Sequence, residues 1–155
     1  MRTTSEGGAT FTPETFATYA FAVTPGTVVA PAELDGSIRR AIEAELGRLG
    51  LRAADEKEAK LLVSYRTEIA VRQRFPDPYF SYYAAEEYED GTLTVELRDA
   101  VSGEVAWRGS GQSELRRSGV LVGSLAGRLT ATDDPREWRV EEKMAAMFAP
   151  LRKSR

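Results

Sequence analysis

The residue types that most often perform catalysis or hold metals are missing from this chain. It has no histidine and no cysteine in 155 residues, which removes the commonest general base, the commonest metal ligand and all thiolate chemistry. Carboxylates, hydroxyls, lysine, arginine and tyrosine remain. No nucleophile-elbow, phosphate-loop or dinucleotide-binding motif occurs at its required spacing. We therefore predict a protein that is not an enzyme, with no catalytic residue, no cofactor and no metal site.

The acidic run "EEYED", residues 86–90, could hold a hard cation, because calcium prefers oxygen ligands. It lacks the alternate-residue acidic spacing and the central glycine of a calcium loop. A solvated acidic turn is the interpretation that the spacing favours.

The segment 75–88 collects half of the twelve Phe and Tyr residues of the chain. Tyrosine suits interfaces because its ring is apolar and its hydroxyl tolerates water. One interpretation is a contact surface of Tyr79, Tyr82 and Tyr88, with Phe75 and Phe80 as anchors. The other is a loop that packs its rings onto its own domain. A small-ligand site in this aromatic loop is a further alternative.

Charge argues against a nucleic-acid partner, and hydropathy argues against a transmembrane segment. The net charge is -3 and the arginines are scattered among acids, so we expect no nucleic-acid partner. The apolar segment "GVLVGSLAG", which starts at Gly119, falls short of the ~20 residues of a spanning helix, so we expect no transmembrane segment. Its glycines indicate a loop, or an apolar patch that a partner covers.

Alternating and helical patterns predict the elements that carry these residues. Residues 1–14 have no apolar period and indicate a flexible leader before a single domain at 15–152. A strand at "FATYAFAV" precedes a helix that ends at Gly50. The pattern "AKLLVSYRTEIAV" predicts a long strand with one wet side. Asp134 as N-cap, with Pro135 and Glu137, predicts the start of a second helix.

A β-hairpin is predicted at "GTLTVELRDAVSGEVAWRGSG". A three-residue loop with Gly103 in the left-handed conformation sets Leu97 opposite Trp107 and Glu96 opposite Arg108. Alternation then places Trp107 in the core and Arg108 in solvent, with Gly109 where a helix or strand approaches closely.

The element order predicts an α+β fold, in which two α-helices pack on one face of an antiparallel β-sheet of about four to five strands. We expect its core to contain Tyr19, Phe21, Ile38, Ile42, Leu46, Val63, Leu93, Val95, Leu97, Trp107, Met144 and Phe148.

The segments "TYAFAV", "AKLLVSY" and "GTLTVELRDAVSGEVAWRGSG", followed by an amphipathic helix, resemble the bacterial lipoprotein-like family called domain of unknown function 4136. The resemblance covers about residues 16–150, and the hairpin is its most specific part. It implies an envelope-exported domain, commonly tethered through a lipidated cysteine, with no established activity.

From this resemblance we expect a non-catalytic domain that binds or scaffolds another envelope protein or component. The opening residues "MRTTSEGGATFTPET" contain neither an apolar signal nor a lipid-accepting cysteine. We therefore expect a periplasmic or outer-membrane-tethered domain if a signal peptide has been removed, and a cytoplasmic one otherwise.

Overall fold

The computed structural model describes residues 2–7, 11–22, 32–74, 86–119 and 138–153. Six strands and three helices lie in these ranges. In chain order they are β1 (Arg2–Gly7), α1 (Pro13–Phe16), β2 (Thr18–Phe21), α2 (Ala32–Arg48), β3 (Arg52–Ala53), β4 (Leu61–Arg74), β5 (Glu86–Asp99), β6 (Val105–Gly119) and α3 (Val140–Lys153).

The strands form one sheet in the order β1-β6-β5-β4-β2-β3, backed by α2 and α3. The predicted α+β class, with two helices on one face, is confirmed. The sheet is mixed rather than purely antiparallel, because β2 runs parallel to β3 and β4. The physical reason is the crossover through α2, since a strand that returns after a packed helix enters the sheet in the same direction.

The amino-terminal segment differs from the flexible leader that we expected. Residues 2–7 form β1, which pairs antiparallel with Trp107–Gln112 of β6. Main-chain hydrogen bonds need no apolar alternation, so hydropathy alone did not reveal this strand.

The hairpin between β5 and β6 has the predicted register. Leu97 faces Trp107, and Glu96 faces Arg108. Gly103 has a φ of 73°, and the Asp99 carboxylate accepts hydrogen bonds from the backbone N–H groups of Val101 and Ser102. The pairing at Leu97 is therefore as predicted, but the loop is not, because a β-bulge between Leu97 and Arg98 sets Arg98 opposite Val105.

The core lies between the two helices and the sheet. All the expected core residues are buried except Phe21, which is partly buried at the margin of the cluster, with the Arg39 guanidinium over its ring. The Trp107 and Phe148 rings contact each other, with centroids 4.7 Å apart. The indole of Trp107 also lies over Gly109, where a Cβ would come within 2.3 Å of the ring. Gly109 thus makes room for the indole, and not for the neighbouring helix or strand that we expected.

Helix α3 begins later than the sequence suggests. Residues 134–137 lie outside the described ranges, but Trp138 and Arg139 are not helical, and Arg139 has a φ of 46°. The left-handed backbone at Arg139 separates the buried indole of Trp138 from the helix, so a cap at Asp134 is wrong for α3. The helix also continues through Pro150, because Leu151 is still buried against the core.

Candidate interaction surface

The helices cover only part of the sheet. The Tyr65 hydroxyl donates a hydrogen bond to Asp35, near the beginning of α2. Beyond this contact, Ile69 and Val71 keep 45% and 61% of their surface exposed, although they share a face with the buried Leu61 and Val63.

The opposite face of the sheet carries no helix in the described part of the chain, and we call it the helix-free face. Tyr88 lies on it, between Arg72 of β4 and Arg117 of β6, and its side chain is half-buried. Of the three tyrosines that we expected to form a contact surface, Tyr88 is placed here. Tyr79 and Tyr82 lie outside the described residues, as do Phe75 and Phe80.

Polar contacts connect the strands across the helix-free face. Arg72 forms a 2.9 Å ion pair with Asp90, which also accepts a 3.0 Å hydrogen bond from the Gln112 side-chain amide. Further along, the hydroxyl oxygens of Thr94 and Ser110 lie 3.4 Å apart. These contacts hold charged and amide groups in fixed positions on a surface that solvent reaches.

Glu96 forms the most connected ion pair on the helix-free face. Arg108 donates to its Oε2 at 2.8 Å, and Arg98 donates to its Oε1. Burial by itself would raise the pKa of Glu96, but the hydrogen bonds from Arg108 and Arg98 outweigh it and hold the pKa below the usual value. The carboxylate is therefore ionised at neutral pH and fixed between two arginines.

The acidic residues 86–90 lie in strand β5 and not in a turn. Within the described ranges, no group of three or more acidic side chains is arranged to hold a metal ion. The glycine-rich segment 120–127 lies outside the described ranges. No helix in the described part of the chain is long and apolar enough to cross a membrane.

A groove of about 570 Å³ separates α2 from the first turns of α3. Glu45 lines it and is almost completely buried. One carboxylate oxygen of Glu45 accepts a 2.7 Å hydrogen bond from Arg48, while the other has only the Arg152 guanidinium, 3.9 Å away. Arg40 lines the same groove, which is therefore polar and charged.

Lys143 is a fully buried lysine on the helix-covered face. Its aliphatic chain lies over Gly111, and its ammonium group lies 3.5 Å from the Gly91 carbonyl and 4.8 Å from the centre of the Trp138 ring. Burial, and then the charge of Arg139, lowers the pKa of Lys143 to about 8. The amine is close to neutral at slightly alkaline pH.

A lysine with a lowered pKa could serve as a base, and the buried Ser113 hydroxyl is the nearest candidate nucleophile on the strand beside Gly91. Ser113 Oγ has no hydrogen-bond partner, so Lys143 does not activate it. A serine nucleophile requires its base within hydrogen-bond reach. These two residues do not form a catalytic pair in this structure.

The helical spacing in the sequence indicates that both Glu45 and Lys143 are buried. Glu45 follows Ile42 by three residues, and Lys143 precedes Met147 by four, so helical spacing places each on an apolar face. A charged residue at such a position is either paired or has a shifted pKa. Glu45 is of the first kind and Lys143 of the second.

The fold and its surface define a small helix-backed sheet domain, with no recognisable catalytic centre among the described residues. The chain matches the family model described as domain of unknown function (DUF4136) over residues 3–149. It therefore belongs to this family, whose description names no activity. The comparison with curated proteins found no match.

The chain is similar to several solved structures at low sequence identity. A PDZ domain protein from Parabacteroides distasonis has a TM-score of 0.54 at 16% identity; the match covers 96% of this chain and 35% of that one. The chain thus spans about a third of that protein. The PelC dodecamer from Paraburkholderia phytofirmans has a TM-score of 0.53 at 13% identity, with 97% and 95% covered. A minor lipoprotein from Acinetobacter baumannii has a TM-score of 0.48 at 11% identity, with 90% and 92% covered.

Proposed function

We propose that this chain is a non-catalytic domain of the bacterial envelope, and that it binds another envelope macromolecule through its helix-free face. The envelope location follows from what the family resemblance implies. The absence of histidine and cysteine from the whole chain supports a binding role over a catalytic one.

One observation carries the proposal: a sheet face that no described helix covers presents Tyr88 beside fixed charges. Tyr88 is half-buried, so part of its side chain is packed and part is accessible. Arg72 and Asp90 lie next to it, joined by their ion pair. Interfaces are enriched in tyrosine and arginine, and pre-ordered side chains lose little entropy on binding.

Site-specific photo-crosslinking tests this proposal. A photoreactive phenylalanine analogue replaces Tyr88 in the full-length native protein, produced in its own bacterium, and exposed Glu43 on α2 is replaced in a matched control. We expect a crosslinked partner for the Tyr88 position, recovered in the envelope fraction, and none for the Glu43 position. Equal crosslinking at both positions, or a product only in the cytoplasmic fraction, would contradict the proposal.

The alternative of a small-ligand site in the aromatic loop 75–88 stays a prediction. Residues 75–85 lie outside the described ranges, and only the end of the loop, at 86–88, is placed. The groove between α2 and α3 lies among other residues and does not support that alternative.

A further inference from the structure

Strand β4 has a long unpaired edge. It pairs with β5 along its whole length, from Leu61 to Arg74, but with β2 only from Leu61 to Val63. Among the residues that the structure describes, none pairs with the β2 side of β4 beyond that point. Residues 68 to 73 are all exposed, and no described strand occupies this part of the edge.

The pairing with β2 shows which main-chain groups face the open edge. The Ala22 N–H donates a 2.8 Å hydrogen bond to the Val63 carbonyl, so the polar groups of Val63 point toward β2. Because this direction alternates along a strand, Thr67, Ile69, Val71 and Gln73 point theirs the same way. Unpaired edge groups of this kind are a template for strand addition.

The middle of this edge, residues 68–72, is complementary to itself, whereas Arg66 would lie opposite Arg74 of the second copy in the same register. In an antiparallel pair of two β4 strands with Ala70 on the two-fold axis, Ile69 lies opposite Val71 of the second copy. Glu68 lies opposite Arg72 of the second copy. Each pair occurs twice by symmetry, and apolar and opposite-charge cross-strand pairs both stabilise sheets.

The competing register places Thr67 on the axis and sets Arg66 opposite Glu68. Val71 of the second copy would then lie opposite Val63, where β2 already occupies the edge. The register on Ala70 keeps the second strand away from β2 and covers Ile69 and Val71, whose apolar side chains are exposed.

We propose that two copies of this chain associate through the open edges of β4, antiparallel and with Ala70 on the two-fold axis. The two sheets then form one continuous sheet. This inference goes beyond the proposed function, because the partner is a second copy of the chain that pairs with the edge of the sheet; the two surfaces share Arg72, which pairs with Asp90 within the chain.

Sedimentation equilibrium with charge variants tests the register. In Glu68→Arg and in Arg72→Glu, the symmetric pairs become like-charged. We expect the wild-type chain to dimerise reversibly and each variant to dimerise at least about tenfold more weakly. An equal mixture of the two variants restores opposite charges in both pairs of residues 68 and 72, so it should dimerise again. Dimerisation of each variant alone at wild-type strength, or a monomeric wild-type chain at millimolar concentration, would overturn the proposal.

A single cysteine provides a second test that does not alter charge. Even-numbered residues point their main-chain groups toward β5, so the two Ala70 residues would form a non-hydrogen-bonded pair with Cα atoms about 4.5 Å apart. This distance suits a disulfide. Because the chain has no other cysteine, Ala70→Cys should form a disulfide dimer under mild oxidation much faster than Glu43→Cys on α2. Equal rates for the two variants would refute the register.

Discussion

The two halves of strand β4 have the same alternation of side chains but differ in burial. Leu61 and Val63 are completely buried under the helices, while Ile69 and Val71, further along the same face, are 45% and 61% exposed. Strand β5 shows the same division, since Leu93, Val95 and Leu97 are buried, whereas Glu87 is exposed. Among the described residues, the sheet extends beyond the helices that pack on it.

This comparison separates two properties that a hydropathy pattern combines. Alternation determines which face of a strand a side chain occupies, because successive residues point to opposite sides. Burial depends on whether another element lies over that face. Among the described residues, the cover ends near the beginnings of α2 and α3, where Asp35 contacts Tyr65 and Lys143 lies over Gly111.

The largest change in the free energy of unfolding should come from substitutions in the part of the sheet that the helices cover. We expect Trp107→Ala to destabilise the domain by about 3–5 kcal/mol, because the indole is buried against Phe148 and its loss leaves a cavity. Val71→Ala, in the exposed half, is the matched control and should change the free energy of unfolding by less than about 0.5 kcal/mol. Urea denaturation measures both. Similar effects for the two variants would remove the distinction between the halves.

The second effect concerns Lys143, which lies at the boundary between the halves. Its pKa is lowered from an ordinary 10.5 to about 8 in the folded state. Between these values the unfolded chain holds the proton and the folded chain does not, so stability rises with pH from about 8 toward 10. The difference corresponds to about 3 kcal/mol that burial of the charged amine costs at neutral pH.

We therefore expect Lys143→Met to be more stable than the wild type at pH 7, by up to about 3 kcal/mol. Its stability should not rise between pH 8 and 10. Urea denaturation at several pH values up to 10 makes the measurement. Above pH 10 we expect stability to fall, because burial and then Glu43 raise the pKa of Tyr19 in the folded state. The unfolded chain then loses the tyrosine proton at a lower pH than the folded chain. If the stability of the wild-type chain does not rise from pH 8 to 10, the pKa of Lys143 is not lowered by burial.

Much of the covered half could be predicted from the sequence. The pairing of Leu97 with Trp107 was predictable because alternation requires both side chains on the core face, whereas the β-bulge between Leu97 and Arg98 was not. The apolar faces of α2 and α3 followed from three- and four-residue spacing. These signals are local, and each is repeated several times along its element.

What could not be predicted depends on contacts distant in the sequence. The parallel entry of β2, the pairing of β1 with β6 and the exposure of Ile69 each depend on where separate elements meet. For the candidate site, only the end of the aromatic loop at Tyr88 could be compared with the prediction. The edge of β4 beyond Val63 has no partner among the described residues, and no pattern within the strand predicts that.

The smallest effect on stability that we predict concerns the outer, helix-free face of the β5–β6 hairpin, in contrast to its inner, buried face. Glu96 and Arg108 lie opposite each other, just as Leu97 and Trp107 do, but on the side without helices. A double-mutant cycle with Glu96→Gln and Arg108→Gln should give a coupling energy of about 0.2–1 kcal/mol, because water screens the pair.

This coupling energy should be constant above pH 4.5 and should decrease at lower pH. The pKa of Glu96 is below its ordinary value of 4.5 in the folded state, so the stabilisation is complete above pH 4.5 and is lost as the pH falls through the folded value. We expect the cycle to give the same coupling at pH 7 and pH 5 and a smaller one at lower pH, as long as the domain remains folded. A coupling energy that persists after Glu96 is protonated would mean that packing, and not charge, joins the two side chains. The outer face of the hairpin would then resemble the inner face more closely than the ion pair suggests.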